Sequence, residues 1–595
     1  MSSVSQPVTA ATAVLPERLL GFVLVLATVV AYAPAFHAGF IWDDDLYVTN
    51  NPLLTAPDGL WRIWFSLDAP SQYFPLTYTV FRVEHALWGS MAAGYHWINI
   101  VFHAVNALLV WRLLLRLGVP GAWLAAAIFA LHPVQVESVA WITELKNLLS
   151  LFFILLALLA WLEFISDDSK SGWRWYFLAL LGQALALAAK TTACTLPAAL
   201  WLLLWLKHKP IRGKRLVQLV PFLAMSAGMG LLAMWWERYH QGTQGKLFAL
   251  NFAERILVAS HAFWFYLGKL VWPVNLVFSY PRWTLNASNP LAYGWLAAGL
   301  GLGAAICFFR RRLGRGPEVA LLFFALTLSP VAGFVMLFTF LYSFVADHYQ
   351  YVACLGPIAL AAAGLATVFG AADKKGLPLK FGLCGALLLT LGTLTWRQCG
   401  MYANEETLWR TTIQRNPGSW LAHVNLGELL VRNGRVDEAR AQWQQALKIN
   451  PDDAFAYYDL GVADSQAGKV EAAVTNYQKA LEFQPDLIKA CNKLAWVLAT
   501  CPIPRLRDAV ESVEFAQRAN QLTRGADPEV LGTLAAAEAY AGKFPEAVAI
   551  IQRALPLAAA QHNDALVHNL QIQLKFYQAN STFRDLGLTN AVSGP

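Results

Sequence analysis

Charge is scarce in this sequence. Only 14% of its 595 residues are Asp, Glu, Lys or Arg, against 57% hydrophobic, and the mean hydropathy is +0.43. A chain with so little charge cannot clothe an ordinary solvated surface, which excludes a simple soluble protein. Cysteine is scarce as well. The seven Cys are scattered, with no CxxC and no Cys/His spacing that suggests a zinc site; Asp43 and Asp44 would suit a divalent ion, but no further ligand cluster joins them, so no metal is expected, and no cofactor. Cys491 and Cys501 alone lie near one another, and two buried thiols are expected there rather than a disulfide. The net charge of +7 does not point to nucleic acid, because Lys and Arg sit mainly in short loops between apolar runs, where the positive-inside rule accounts for them.

What is present is a long series of apolar runs, each of about 17 to 22 residues and able to cross a ~30 Å hydrocarbon core. They fall near 19–36, 96–117, 121–138, 147–165, 173–190, 191–206, 216–236, 292–309, 318–341, 351–370 and 380–396. The fold class expected is all-α: a polytopic transmembrane bundle of about eleven spans over 19–396, a linker helix at 397–415, a helical solenoid at 416–578 and a tail at 579–595. The first run is read as a retained helix and not a cleaved signal, since the spans that follow need a first one. Arg18, Arg112 and Arg116, Lys170 and Arg174, the cluster from Lys207 to Arg215, Arg310 to Arg315, and Lys374, Lys375 and Lys380 occupy every second loop. Those loops, with the tail 1–18, are therefore cytoplasmic, and the alternate loops and everything after the last run face the other side. The stretch Ile256 to Phe278 breaks this parity and is read as re-entrant or interfacial.

The extracytosolic side then collects a distinctive set. The first loop, 37–95, opens with FIWDDDLYVTNN from Phe40 to Asn51, placing Asp43, Asp44 and Asp45 beside a span end. HPVQVESVAWITELKN runs from His132 to Asn147, FYLGKLVWPVNLVFSYPRW from Phe265 to Trp283 and ADHYQY from Ala346 to Tyr351, with Lys190 between them. For Trp42, Tyr47, Trp141, Trp272 and Trp283 the expectation is interfacial anchoring. Anchoring does not explain Asp43 and Asp44. Crowded carboxylates near a membrane are costly unless they meet a cation or a proton, so they mark a site.

From about Asn416 the chain repeats itself at a spacing of 34: Pro417, Pro451 and Pro485, Leu426-Gly427 and Leu460-Gly461, Ala439 and Ala473, Trp443 and Tyr477 recur in step. This is the tetratricopeptide pattern, in which small residues let paired helices approach and large ones fill the holes between them. A third unit begins at Leu494-Ala495 with an insertion near Cys501, Pro502 and Pro504, and a weaker fourth carries Leu534, Gly542, Ala547 and Ala554. A face suited to an extended peptide or a partner protein is expected.

Taken together, the acidic first loop, HPVQVESVAW, FYLGKLVWPVNL, ADHYQYV and the terminal repeats resemble the membrane glycosyltransferases that carry tetratricopeptide repeats. That family is similar to the protein O-mannosyltransferases of the GT-C superfamily. The resemblance implies a polyprenyl or dolichyl phosphate sugar as donor, a Ser or Thr hydroxyl of a protein as acceptor, and catalysis outside the cytosol. Trp42-Asp43-Asp44 matches the family's aromatic-acid-acid pattern, which makes Asp43 the general base and Asp44 its partner, though the second acid is commonly Glu and Asp45 is an extra with no assigned role. A sugar phosphate brings its own leaving group, so the enzyme must deprotonate a hydroxyl and neutralise the departing phosphate. Lys190, Lys269, Arg282 and His348 are candidates for the phosphate, with Lys190 and Lys269 foremost. Glu137 and Lys146 either position the sugar or pair with one another.

Two readings from other classes stand beside this one. A non-enzymatic anchor for an envelope scaffold would not need Asp43 and Asp44, nor so many spans. A lipid or sugar transporter would place its charges near the bilayer midplane, whereas these lie at span ends. The compact length suggests a bacterial inner membrane, or the endoplasmic reticulum in a eukaryote.

Overall fold

The computed structural model describes residues 16–67, 69–166, 172–210, 212–243, 245, 248–370 and 377–589. Lys170, Lys374 and Lys375, and most of the tail 1–18, lie outside the described residues. The fold is all-helical: every regular element among the described residues is a helix. The chain divides into two compact units, 1–416 and 417–595.

In the first unit the helices run α1 (Glu17–Ala31), α2 (Gly59–Phe65), α3 (Pro75–Trp88), α4 (Ala92–Leu117), α5 (Ala122–Leu131), α6 (Val136–Ala140), α7 (Leu145–Ser166) and α8 (Gly172–Ala189). They continue as α9 (Leu196–Leu206), α10 (Lys214–Tyr239), α11 (Phe252–Val271), α12 (Gly294–Leu313), α13 (Gly316–Leu328), α14 (Leu355–Gly370), α15 (Leu377–Cys399) and α16 (Glu405–Arg415). Among the described residues, five helical stretches are long and apolar enough to cross a membrane, or six if the bent pair α5 and α6 is taken as one span. Other expected spans correspond to shorter apolar helices at Thr191–Leu206, Gly316–Val331 and Leu355–Phe369. The stretch expected to re-enter the membrane does not reverse over 252–271. Here α11 is one unbroken helix, started by a capping box between Asn251 and Glu254 that satisfies the first free amides.

The centre of this unit is the segment after α5. His132 takes an extended conformation ahead of Pro133, as a residue before proline must when its α region is blocked. That stops α5, and α6 leaves at 54° to it. A second break at Trp141 precedes α7. Residues 125–151 are nevertheless buried without interruption, so the carbonyls freed by these breaks need internal partners. Helix α4 supplies them: Asn99 Nδ2 donates to the Val139 and Trp141 carbonyls at 3.2 Å and to the Ile142 carbonyl at 3.4 Å; one turn into α7, Asn106 Nδ2 donates to the Leu148 carbonyl at 3.0 Å. On the other side α7 lies against α8, where a Cβ on Gly182 would stand 3.0 Å from the Ala157 Cβ; glycine permits that approach.

In the second unit the helices pair as α17 (Trp420–Arg432) with α18 (Val436–Ile449), α19 (Ala454–Gln466) with α20 (Val470–Phe483), α21 (Ile488–Thr500) with α22 (Ala509–Leu522), and α23 (Pro528–Tyr540) with α24 (Phe544–Ala560). Helix α25 (Asp564–Gln578) closes the row. The repeated Leu-Gly dipeptide has a steric cause. A Cβ on Gly427 would collide with the Trp443 indole, and one on Gly461 would come within 2.6 Å of the Tyr477 ring. Cys491 and Cys501 are free and buried, packed in the core that α19, α20 and α21 share.

Candidate active site

Helix α1 ends at Ala31 with Tyr32 as its cap, and a short turn over Ala33–His37 carries the chain into the acidic loop. Trp42 adopts φ +45°, a left-handed backbone that bulky residues seldom take. The two carboxylates that follow have different surroundings. Asp44 is fully buried and spends both oxygens on hydrogen bonds: Oδ2 accepts from the Ile41 amide at 2.9 Å, and Oδ1 from the Thr143 amide at 2.9 Å and from the Thr143 hydroxyl. It ties the loop to the second break in the α5–α7 segment. Burial pushes Asp44 up to about 7, against the lowering effect of those bonds.

Asp43 is half-buried. Among the described residues its carboxylate accepts no recorded hydrogen bond and forms no ion pair. Burial pushes it up to about 6, opposed by the field of Lys146 and reinforced by that of Glu144. A carboxylate with raised proton affinity and no committed partner has the character of a general base. The third acid, Asp45, accepts from the Thr49 hydroxyl at 2.9 Å within the turn.

Facing Asp43 is a charge cluster centred on Glu144, which the sequence reading did not single out. Glu144 pairs with Lys146 Nζ at 2.9 Å, Lys190 Nζ at 3.3 Å and His348 Nε2 at 3.9 Å, and it accepts a hydrogen bond from Asn147. Lys190 also donates to Asn147 Oδ1 at 2.7 Å. The Lys146 ammonium stands 5.2 Å from the Tyr47 ring centroid, 5.6 Å from that of Trp141 and 5.8 Å from that of Phe74, a cage of aromatic faces that suits a desolvated cation. Glu137 does not pair with Lys146. It holds His348 instead, accepting from Nδ1 and from the backbone amide, each at 3.1 Å. The breaks at 132 and 141 turn Glu137 toward the 346–351 turn and Lys146 toward the acidic loop. Next to His348, Asp347 is buried and accepts from the Tyr280 hydroxyl at 2.9 Å; burial, then Glu137, raise it well above the usual carboxylate range.

The remaining cations lie apart from this cluster. Lys269 donates to the carbonyls of Val274 at 2.8 Å and Asn275 at 3.3 Å, closing the end of α11. Arg282 donates to the Phe340 carbonyl at 2.9 Å and stacks over Phe344. The anchoring expected of Trp42, Tyr47 and Trp141 is replaced by packing beside the site. Trp42 meets Trp141, Phe278 and Trp409 at 5.6, 5.2 and 6.0 Å between centroids. Tyr47 stacks on Tyr78 at 5.4 Å. Trp272, 71% exposed, remains free to anchor; Trp283 stacks on His261. No group of three or more His, Cys, Asp or Glu among the described residues could hold a metal ion.

Comparison with known proteins agrees with the motifs. The family models for the TPR repeat and for the tetratricopeptide repeat match residues 427–467 and 456–487. A protein O-mannosyl-transferase of Caenorhabditis elegans is 24% identical over 455 residues, 70% of this chain and 61% of its own length. Protein O-mannosyl-transferase TMTC4 of Homo sapiens is 28% identical over 31% of this chain and 29% of its own, and TMTC2 of Homo sapiens 32% identical over 24% and 19%. The chain thus spans about three fifths of the nematode relative and less than a third of these two human ones. It is similar to membrane glycosyltransferases with tetratricopeptide repeats, as the order of its motifs implies.

Proposed function

We propose that this chain is an integral-membrane glycosyltransferase of GT-C type that moves a monosaccharide from a polyprenyl phosphate donor to a Ser or Thr hydroxyl of a protein, on the extracytosolic side. The relatives' names make mannose the first sugar to test. The observation that carries the proposal is the uncommitted Asp43 carboxylate set against a cationic cluster. In the reaction Asp43 takes the proton of the acceptor hydroxyl as its oxygen bonds to the anomeric carbon. The bond from that carbon to the phosphate oxygen breaks, and the lipid phosphate leaves with one more negative charge.

Two ammonium groups, Lys146 and Lys190, share one carboxylate, Glu144. In this scheme the Lys146 ammonium favours an ionised Asp43 against the effect of burial, both lysines offset the charge of the departing phosphate, and a site prepared in advance needs no reorganisation as charge develops. Asp44 is a positioning residue in this scheme: through Thr143 it holds the acidic loop to the segment that carries Glu144. The repeats engage the acceptor protein or a partner.

Purified chain is assayed for transfer of radiolabelled mannose from a polyprenyl phosphate donor to a peptide containing Ser and Thr. Asp43→Asn lowers the rate at least about 100-fold while membrane insertion is unchanged. Full activity in that variant removes Asp43 as the base.

A further inference from the structure

The second unit contains a feature that transfer chemistry does not use. After α25 the chain turns back, and residues 581–588 run along the first helices of the repeats. Phe583 sits against Trp496 of α21, 5.9 Å between centroids. Asp585 Oδ2 accepts from the Trp496 indole at 2.8 Å. The Asp585 amide donates to the Thr500 carbonyl at 3.0 Å, and Arg584 donates to the Ala499 carbonyl at 2.9 Å while covering the Tyr540 ring. Leu588, 7% exposed, enters the core shared by α19 and α21. The segment has no helix of its own until the short turn at Leu586–Leu588, and it is held through both its backbone and its side chains.

The segment covers this face only in part. Beside it a cavity of about 340 Å³ remains, bounded by Asn492, Lys493, Thr533 and Gln573 and walled by Phe583 and Asp585. Asn492, 6% exposed, is one of the lining residues; its Nδ2 donates to Glu529 Oε1 at 3.5 Å, and Lys493 pairs with the same oxygen at 3.1 Å, so this edge of the cavity is polar.

We propose that this face is a peptide groove that residues 581–588 occupy in cis, and that it takes protein segments carrying an aromatic residue, a carboxylate two positions on and an aliphatic residue three beyond that. The pattern is that of Phe583, Asp585 and Leu588. An incoming segment competes with the chain's own, so affinity for partners is set by how firmly the cis segment holds. This extends the reading that the repeats engage protein, and it is tested by binding alone, without donor or transfer.

The probe is a fluorescent peptide of sequence NSTFRDLGLT, residues 580–589, titrated by anisotropy into the full-length chain in detergent. Phe583→Ala with Asp585→Asn weakens the cis segment and raises peptide affinity about tenfold or more over the unaltered chain; adding Trp496→Ala reverses the gain. A folded double variant that binds no more tightly than the unaltered chain overturns the proposal, as does a gain that survives Trp496→Ala. Loss of helical signal in the double variant overturns it too, since the segment is then an integral cap. The single variant Asp585→Asn, which keeps Phe583 and Leu588 in place, must still raise affinity severalfold; unchanged affinity there counts against the groove even if the double variant unfolds.

Discussion

At the scale of single residues, adjacent carboxylates of one loop are driven to different uses by their neighbours. Asp44 has three donors on its two oxygens; Asp43 has none recorded, and burial holds its proton affinity up to about 6. Below that pH a base is protonated and cannot accept the acceptor's proton, and above it the carboxylate is ionised. Transfer rate therefore rises with pH through about 6 and levels off above it, which a pH-rate profile on saturating donor checks. Glu144 belongs to a different kind of residue. Replacing it with Gln leaves Lys146 and Lys190 buried without their anion, and breaking a buried ion pair in this way costs about 3–5 kcal/mol. Glu144→Gln is expected to lower the thermal midpoint in detergent sharply, where Asp43→Asn does not.

Asp43 and Asp44 stood out together in the sequence because anchoring at a span end does not explain adjacent carboxylates; that one is held and the other is not could not be read there. Glu144 was not legible, though it stands two residues before Lys146 in a segment already singled out. In sequence the two look like neighbours on one surface strip. Only the break at Trp141, followed by the start of α7, turns both side chains inward toward Lys190 and His348.

At the scale of elements, the segment from His132 to Asn147 is short, broken helix that is nonetheless buried throughout. Broken backbone inside a bundle is tolerated where side chains or a cavity satisfy it, and Asn99 of α4 does so here. The hydropathy of α4 marks it as an apolar run and gives no hint that its asparagines serve another element. In the repeats the reverse holds, because the spacing of 34 and the Leu-Gly dipeptides state the packing outright. Gly427→Ala forces a methyl into the Trp443 ring and destabilises the second unit by about 1–3 kcal/mol, to be read from a denaturant titration followed by circular dichroism. An equal transition in the variant would show that the close approach is not required.

At the scale of the whole molecule, the proposed topology rests on the alternation of Lys and Arg among loops, which predicts the acidic loop and everything after Trp396 on the extracytosolic side. A reporter enzyme active only outside the cytosol, fused after Trp396, is expected to be active, and one fused after Arg315 silent. The opposite pattern would place the repeats away from any extracytosolic acceptor.

Composition and periodicity by themselves determined that the chain is all-helical, rich in membrane-length runs and finished by tetratricopeptide repeats, because hydrophobic burial and helix pairing leave marks at fixed spacing along a chain. The crowded acids singled out Asp43 and Asp44 together, and the family resemblance alone implied that Asp43 is the base. The tertiary structure alone decided that Asp44 is held while Asp43 is not, that Glu144 gathers two lysines and a histidine, that Trp42 and Trp141 pack inward, and that residues 581–588 lie in the groove of the repeats. Such relations join positions tens to hundreds of residues apart. A charge or ring acquires its partner only when breaks and turns have fixed its direction, and no local pattern encodes that.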